Sequence, residues 1–253
     1  MKPKRHLVPP VAWITAAMLG LLLLAILITS LREVRSGGHV RTVDARNIRQ
    51  IAQAALIYAN ENDDRLPEIN LGPDGIPAEG ETTTVHRYAM ALARKTNLNA
   101  IEIFISPSDR HPGVNQRLRN HTIVLGHQGD EANSINPAFL ETGISYQLIG
   151  GLKMDDPSTT PVAFTRGLQQ EGEWDPESGV HGSQGGYVVF LAGNIRWSRD
   201  LQSEFDQLTS TSGDPTSNVL ETLSPDHAVY GDPDPPIADG TRGVGARAED
   251  RER

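Results

Sequence analysis

The chain has 253 residues and a mass of 27.5 kDa, enough for one ordinary domain with appendages. Its formal net charge of −9 argues against a nucleic-acid partner, because affinity for phosphates needs a cationic surface. The sequence contains no cysteine, which excludes disulfides, cysteine-ligated metals and thiol nucleophiles.

An apolar run without any charged side chain occupies residues 11–31. A helix of that length spans about 30 Å, the hydrocarbon thickness of a bilayer. The run is longer than the apolar part of an ordinary cleaved signal peptide, and the basic flank at 1–10 argues against a buried core helix. The sequence therefore predicts a single transmembrane helix in the lipid bilayer of a bacterial inner membrane. The clustered N-terminal cations predict a cytoplasmic N-terminus and an extracytoplasmic head.

An amphipathic helix is predicted to begin at residue 42, within the stretch 42–64, and to end before Pro67. Ile48, Ile51 and Ala52 recur at helical spacing, with polar residues between them. Asp44 suits the N-terminus of such a helix. We expect the apolar stripe to pack against a small antiparallel sheet.

The following residues combine a loop, a second helix and a turn. The loop is predicted over 66–82 and the second helix over 83–96, and 101–105 is typical of an extended segment. Pro107 and Asp109 then form part of a turn that stops this segment.

Five further strands are predicted from short apolar runs, at residues 121–125, 144–149, 161–165, 187–191 and 195–199. Gly193, together with Asn194, suits the tight turn between the last two because both tolerate positive φ. Residues 206–253 are acidic and rich in Pro and Gly, which predicts a disordered tail. The predicted fold class is α+β: a transmembrane helix, a pilin-like head over 39–205 and that tail.

Four stretches in chain order resemble the G-type pseudopilins of bacterial type II secretion. The resemblance is greatest to a divergent branch with a C-terminal motif of His, nine residues and Asp-Gly. The stretches are 45–67, 103–109 (IFISPSD), 145–164 and 181–197 (HGSQGGYVVFLAGNIRW). In the last of them the spacing is one residue longer and Ala192 replaces the motif's Asp. The resemblance implies a pilin-like architecture in which Pro107, Asp109, His181 and Gly193 are structural motif residues.

The chemistry-bearing residues do not form a recognisable catalytic pattern, and we expect no enzyme. His181 is the strongest candidate for a catalytic or metal-binding residue, but a lone histidine lacks the partners that a metal site needs. We interpret its imidazole as bonding a backbone carbonyl beside the final hairpin. His121 and His127 are six residues apart in a polar segment that is largely without an assigned element, which does not predict a shared metal.

Calcium is the one cofactor that the resemblance brings into question, because some G-type pseudopilins bind it in their C-terminal sheet. Asp155 and Asp156 are the candidate ligands, since calcium takes carboxylate oxygens. The spacing does not match a known calcium loop, and paired acids on a loop are usually solvated. The expectation is therefore no cofactor.

The predicted function is that of a membrane-anchored, pseudopilin-like component of a type II secretion or type IV pilus-like system. Its partners would be pseudopilin or secretion-apparatus subunits. Two other classes are also compatible with the sequence: a tethered ligand-binding or sensor head, and a membrane-bound hydrolase.

Overall fold

The computed structural model describes residues 40–69, 84–120, 123–126 and 135–231, together with Met18 and Leu21. The chain divides into two compact units, Met1–Thr42 and Val43–Arg253. Apart from the first residues of one helix, every element below lies in the second unit. Its fold is α+β and contains a five-stranded antiparallel sheet.

Helix α1 is described over residues 40–60 and confirms the predicted amphipathic helix. Ile48, Ile51 and Ala52 are at most 1% exposed and belong to the hydrophobic core. The chain is already helical at residue 40, so Asp44 lies inside the helix and not at its N-terminus. Asp44 is fully buried, which places a carboxylate among the core-facing residues of the helix.

Helix α2 covers Thr84–Thr96 and confirms the second predicted helix to within one residue. Its apolar face, which includes Tyr88 and Leu92, is fully buried in the same core. The ring of Tyr88 lies 5.9 Å from the ring of Tyr230, which comes from the far end of the described chain. A short helix, α3, covers Pro137–Leu140.

The described residues contain seven strands: β1 Tyr146–Gly150, β2 Pro161–Thr165, β3 Gly186–Phe190, β4 Ile195–Ser198, β5 Leu208–Thr209, β6 Pro215–Thr216 and β7 Ala228–Tyr230. The main sheet has the order β4-β3-β2-β1-β7, and every neighbouring pair is antiparallel. Strands β5 and β6 form a separate two-stranded sheet. All residues of β1 and β2 are buried, so both faces of the sheet are covered at its centre.

The β3–β4 hairpin closes as the sequence predicts, with one difference at its turn. Gly193 has a φ of +81° and its N–H donates to the Phe190 carbonyl over 2.7 Å. Asn194 does not adopt a positive φ, so the turn needs a left-handed conformation only at the glycine.

The predicted extended segment at 101–105 is wrong. Ile101–Ile103 is a 3₁₀ turn, closed by a hydrogen bond from the Phe104 N–H to the Ile101 carbonyl over 2.9 Å. Ile101, Phe104 and Ile105 are all fully buried, and a helical turn brings side chains at this spacing to one side. The apolar run therefore serves a turn that faces the core. Within the predicted strand at 121–125, the described residues Ile123 and Leu125 form only isolated bridges.

The predicted disordered tail is also wrong for the residues up to 231. Strand β7 pairs with β1 at the edge of the main sheet, and Leu208, Val219 and Tyr230 are at most 5% exposed. These strands are two or three residues long, so they show no periodicity in sequence. Strand β7 depends on pairing with β1, which is distant along the chain, and composition does not reveal such a pairing.

The transmembrane part of the predicted fold class is not upheld. Among the described residues, no helix combines the length and the apolar character that crossing a bilayer requires. The predicted span at 11–31 lies outside the described residues, except for Met18 and Leu21.

A buried histidine joins helix α2 to the segment after α3. His86 is fully buried, and its Nε2 lies 2.9 Å from the Thr142 carbonyl oxygen, which accepts the hydrogen bond. Its ring meets the Phe139 ring edge-on at 4.8 Å. Burial lowers the pKa of His86 from 6.5 to about 4, although the Thr142 and Phe139 carbonyls partly oppose this shift. The imidazole is therefore neutral in the folded protein at neutral pH.

We expect this histidine to destabilise the fold as the pH falls. Because the pKa of His86 is lower in the folded than in the unfolded chain, the unfolded chain binds more protons between pH 6.5 and 4. The contribution of His86 to the free energy of unfolding is therefore complete above pH 6.5. It falls by about 1.4 kcal/mol per pH unit between pH 6.5 and 4, which amounts to about 3 kcal/mol in all. In His86→Gln, which can still donate to Thr142, the free energy of unfolding should depend less steeply on pH. Urea titrations at several pH values measure this difference, and parallel curves for the two proteins would contradict it.

Candidate functional site: a polar seam between helix α1 and the sheet

The sheet register brings two polar residues together beside the paired ends of β1 and β2. Tyr146 pairs with Thr165, so the next residues outward, Ser145 and Arg166, are also neighbours. The Arg166 N–H donates to the Ser145 carbonyl over 2.9 Å. The turn that contains Pro107 delivers Asp109 to the same place from a distant part of the chain.

Asp109 and Arg166 form a buried ion pair. Nη2 of Arg166 lies 2.6 Å from each carboxylate oxygen of Asp109, and the two side chains are 2% and 1% exposed. The Ser145 hydroxyl donates to Oδ2 of Asp109 over 2.6 Å, and the His111 N–H donates to Oδ1 over 3.1 Å. The Ser106 N–H in turn donates to the Ser145 hydroxyl. The carboxylate is thus neutralised and hydrogen-bonded on both oxygens, as a buried charge must be.

A second buried carboxylate, Asp44, connects helix α1 to the same end of the sheet. The Tyr146 hydroxyl donates to Oδ1 of Asp44 over 3.2 Å. Burial, and next the charge of Asp44, raise the pKa of Tyr146 well above its ordinary value, so this hydroxyl keeps its proton. Nε2 of His181 lies 3.1 Å from Oδ2 of Asp44, although the approach lacks the geometry of a hydrogen bond.

Aromatic rings surround the His181 imidazole on the sheet side. The His181 ring meets the Trp197 ring at 5.0 Å and the Tyr187 ring at 6.5 Å, both edge-on. The Tyr187 and Trp197 rings themselves lie 4.8 Å apart. The His181 side chain is only 5% exposed and is held between helix α1 and the β3–β4 hairpin. The sequence predicts a backbone carbonyl as the partner of this imidazole, whereas the structure places the Asp44 carboxylate of helix α1 beside it.

These two clusters are continuous, and we call them together the polar seam, defined as Asp44, Asp109, Ser145, Tyr146, Arg166 and His181. Ser145 and Tyr146 are adjacent in the chain, and the Val180 N–H, next to His181, donates to the Arg166 carbonyl. The seam runs from the turn after the first 3₁₀ helix to helix α1. The charged groups of the seam contact one another. The seam therefore holds the helix, the turn and the sheet in one arrangement.

The remaining predicted site residues lie elsewhere. Asp155 is exposed, whereas Asp156 accepts a hydrogen bond from the Lys153 N–H over 2.7 Å and lies 3.3 Å from Nε2 of His227. One of the two candidate calcium ligands, Asp156, thus already has protein partners. Within the described parts of the chain, no group of three or more acidic or histidine side chains is placed to hold a metal ion. His121 and His127 fall outside the described residues.

Sequence reasoning missed the importance of Asp44 and Arg166. Asp is a residue type that is common at helix N-termini. Asp44 is seen to be internal only because the structure is already helical at residue 40. Arg166 directly follows the apolar strand PVAFT. A charged residue next to a buried strand needs a buried partner, and this position is the signal by which the sequence could have indicated the ion pair.

Breaking the buried ion pair should be strongly destabilising. Asp109→Asn leaves the Arg166 guanidinium buried without a counter-charge, so we expect a loss of about 3–5 kcal/mol in the free energy of unfolding. For a domain of this size that corresponds to a fall of about 10 °C in Tm, which calorimetry measures.

An exposed ion pair provides the matched control for this variant. Arg65 and Glu68 lie 3.9 Å apart with side chains 43% and 45% exposed, so Glu68→Gln should cost less than about 1 kcal/mol. The double variant Asp109→Leu/Arg166→Met, which removes both charges, should lose less than the two single changes together. Equal, small effects of Asp109→Asn and Glu68→Gln would contradict the structural role of the seam.

Comparisons of the chain with protein-family models, with curated proteins and with solved structures each give no match, so they do not bear on the resemblance to pseudopilins.

Proposed function

We propose that this protein is a structural assembly subunit: a pilin-like head that acts by contact with other protein subunits of a secretion- or pilus-type apparatus. In this proposal the protein has no reaction centre. The observation that carries it is the polar seam, where the carboxylates of Asp44 and Asp109 meet Tyr146, His181, Ser145 and Arg166. Within the polar seam, the groups that could act as acids, bases or ligands lie against one another and join the helix, the turn and the sheet.

The attachment of helix α1 supports a mechanical role. Its apolar stripe of Ile48, Ile51 and Ala52 packs in the core, and Asp44 of the same helix bonds to the sheet through Tyr146. A second polar contact runs from the Asn47 side chain to the Glu102 carbonyl over 3.2 Å. Apolar and polar contacts together hold the helix in a defined position on the head. A subunit that acts by contact needs such a rigid attachment.

Cross-linking of the full chain in intact cells tests this proposal. Brief formaldehyde treatment should give discrete adducts that contain this chain and other protein subunits or further copies of it. Asp109→Asn, which disturbs the seam, should reduce these adducts, whereas the exposed change Glu68→Gln should not.

Two outcomes would contradict the proposal. A chain that stays monomeric in the cells, and whose Tm rises saturably with a small ligand, would indicate a binding or sensor head. Hydrolytic turnover that His181→Gln abolishes without lowering Tm would indicate a hydrolase.

A further inference from the structure

The most exposed large apolar side chain among the described residues is Phe205. It is 91% exposed, compared with 51% for Ile57 and 39% for Met154 in the same unit. A phenylalanine in water gains from burial in a partner, and aromatic anchors are frequent at the centres of protein interfaces. Packing within the head therefore does not account for the Phe205 ring.

The loop that carries Phe205 is firmly held. The Asp206 N–H donates to the Ser203 carbonyl over 2.8 Å, and the Ser203 N–H donates to Oδ1 of Asp200 over 3.0 Å. Nη2 of Arg196, on strand β4, donates to the Asp206 carbonyl over 2.6 Å. An ordered loop loses little conformational entropy on binding, which favours its use as a preformed contact.

The loop around Phe205 carries a net negative charge, although the guanidinium of Arg196 on strand β4 also reaches its backbone. Asp200, Glu204 and Asp206 lie in the loop 200–207, which contains no basic residue. A partner surface with positive charge around an apolar contact would therefore complement this loop.

A surface with this chemistry exists on the same chain, in the turn 105–120. Arg110 and Arg117 are exposed there and Arg119 is half-buried, with the half-buried Leu118 between the last two. The side chain of Gln116 closes this turn by donating to the Asp109 carbonyl over 2.7 Å. The one carboxylate of the turn, that of Asp109, is buried against Arg166 and does not cancel the exposed positive charge.

We propose that Phe205 anchors a contact between copies of this chain, in which the loop 200–207 of one copy docks on the turn 105–120 of the next, with Glu204 facing Arg117. The two surfaces differ, so the contact is head-to-tail and repeats along a ring or filament. The inference rests on the proposed function as an assembly subunit and names its partner as a second copy.

Sedimentation equilibrium of the full chain, in a non-ionic detergent because residues 11–31 are apolar, tests this contact. All variants share residues 1–42, so differences between them report on the head. Phe205→Ser should weaken self-association about 30-fold or more, as loss of an interface anchor does. Ile57→Ser, which removes another exposed apolar side chain, should leave it unchanged.

Charge reversal identifies the partner surface. Glu204→Arg and Arg117→Glu should each weaken self-association, and the double variant Glu204→Arg/Arg117→Glu should restore it. The side chains of Glu204, Arg117 and Phe205 are all exposed in the monomer, so the Tm of each variant should equal that of the parent.

Three results would overturn the inference: a parent chain that stays monomeric, a Phe205→Ser variant that associates as tightly as the parent, or a double charge variant that fails to recover association. Each of them leaves the cross-linking test of the proposed function intact. Adducts in cells together with any of these results would retain the assembly role and reject only this self-contact.

Discussion

A chain that ends after residue 205 is expected to lose its cooperative fold, whereas a chain that ends after Gly231 should melt like the parent. The shorter chain lacks β5, β6 and β7, although composition alone marks these residues as a dispensable tail. The longer one keeps every contact described above.

The reason for the expected loss is the position of β7 at the edge of the main sheet. It pairs with β1 through Leu148↔Tyr230 and Ile149↔Val229. The Tyr230 ring packs directly against Gly150, where a Cβ would not fit, and its hydroxyl accepts the Ile69 N–H over 3.0 Å. Removal of β7 therefore exposes the fully buried strand β1.

The size of the effect follows from the apolar side chains that are removed. Leu208, Val219 and Tyr230 are each at most 5% exposed, and burial of such a side chain contributes about 1.5–3 kcal/mol. Their combined loss is comparable with the whole stability of a domain, about 5–15 kcal/mol. Circular dichroism and thermal melting of the two truncated chains measure it. Cooperative melting of the 1–205 chain near the parent Tm would refute this account of β7.

The second large effect is expected in helix α1, where Ile51→Asp should unfold the head. Ile51 is completely buried, so the substitution removes apolar packing and introduces a carboxylate without a partner. We expect a loss of at least about 5 kcal/mol in the free energy of unfolding.

Helix α1 itself offers the matched control. Ile57 is 51% exposed on the same helix, so Ile57→Asp makes the same chemical change without burying the charge. Its cost should be within about 0.5 kcal/mol, as for other surface substitutions. Urea denaturation of both variants gives the comparison. Similar losses would show that the change in helix propensity, and not burial, dominates, which would contradict the helix-on-sheet packing.

The sequence predicts correctly the elements whose signal is local. Helices α1 and α2 show apolar side chains at helical spacing, and the β3–β4 hairpin combines two apolar runs with Gly193. The segment 101–105 fails because a short apolar run is equally compatible with a strand and with a buried turn. Helical burial of Ile101, Phe104 and Ile105 decides between them.

The candidate site was only partly accessible to sequence reasoning. Asp109 and His181 were singled out as structural motif residues, and both belong to the polar seam. Their partners were not identified, because Asp109 meets Arg166 across 57 residues and Asp44 meets Tyr146 across 102. No periodicity or spacing connects residues so far apart.

The sequence by itself determined the local elements and their buried faces, because helix and hairpin formation depend on neighbours a few residues apart. Only the tertiary structure decided that strand β7, Ala228–Tyr230, completes the main sheet and that buried charges join helix, turn and sheet. The edge strand and the buried charges both depend on segments that are distant along the chain. A lone buried charge or a three-residue strand is stable only when its partner is in place.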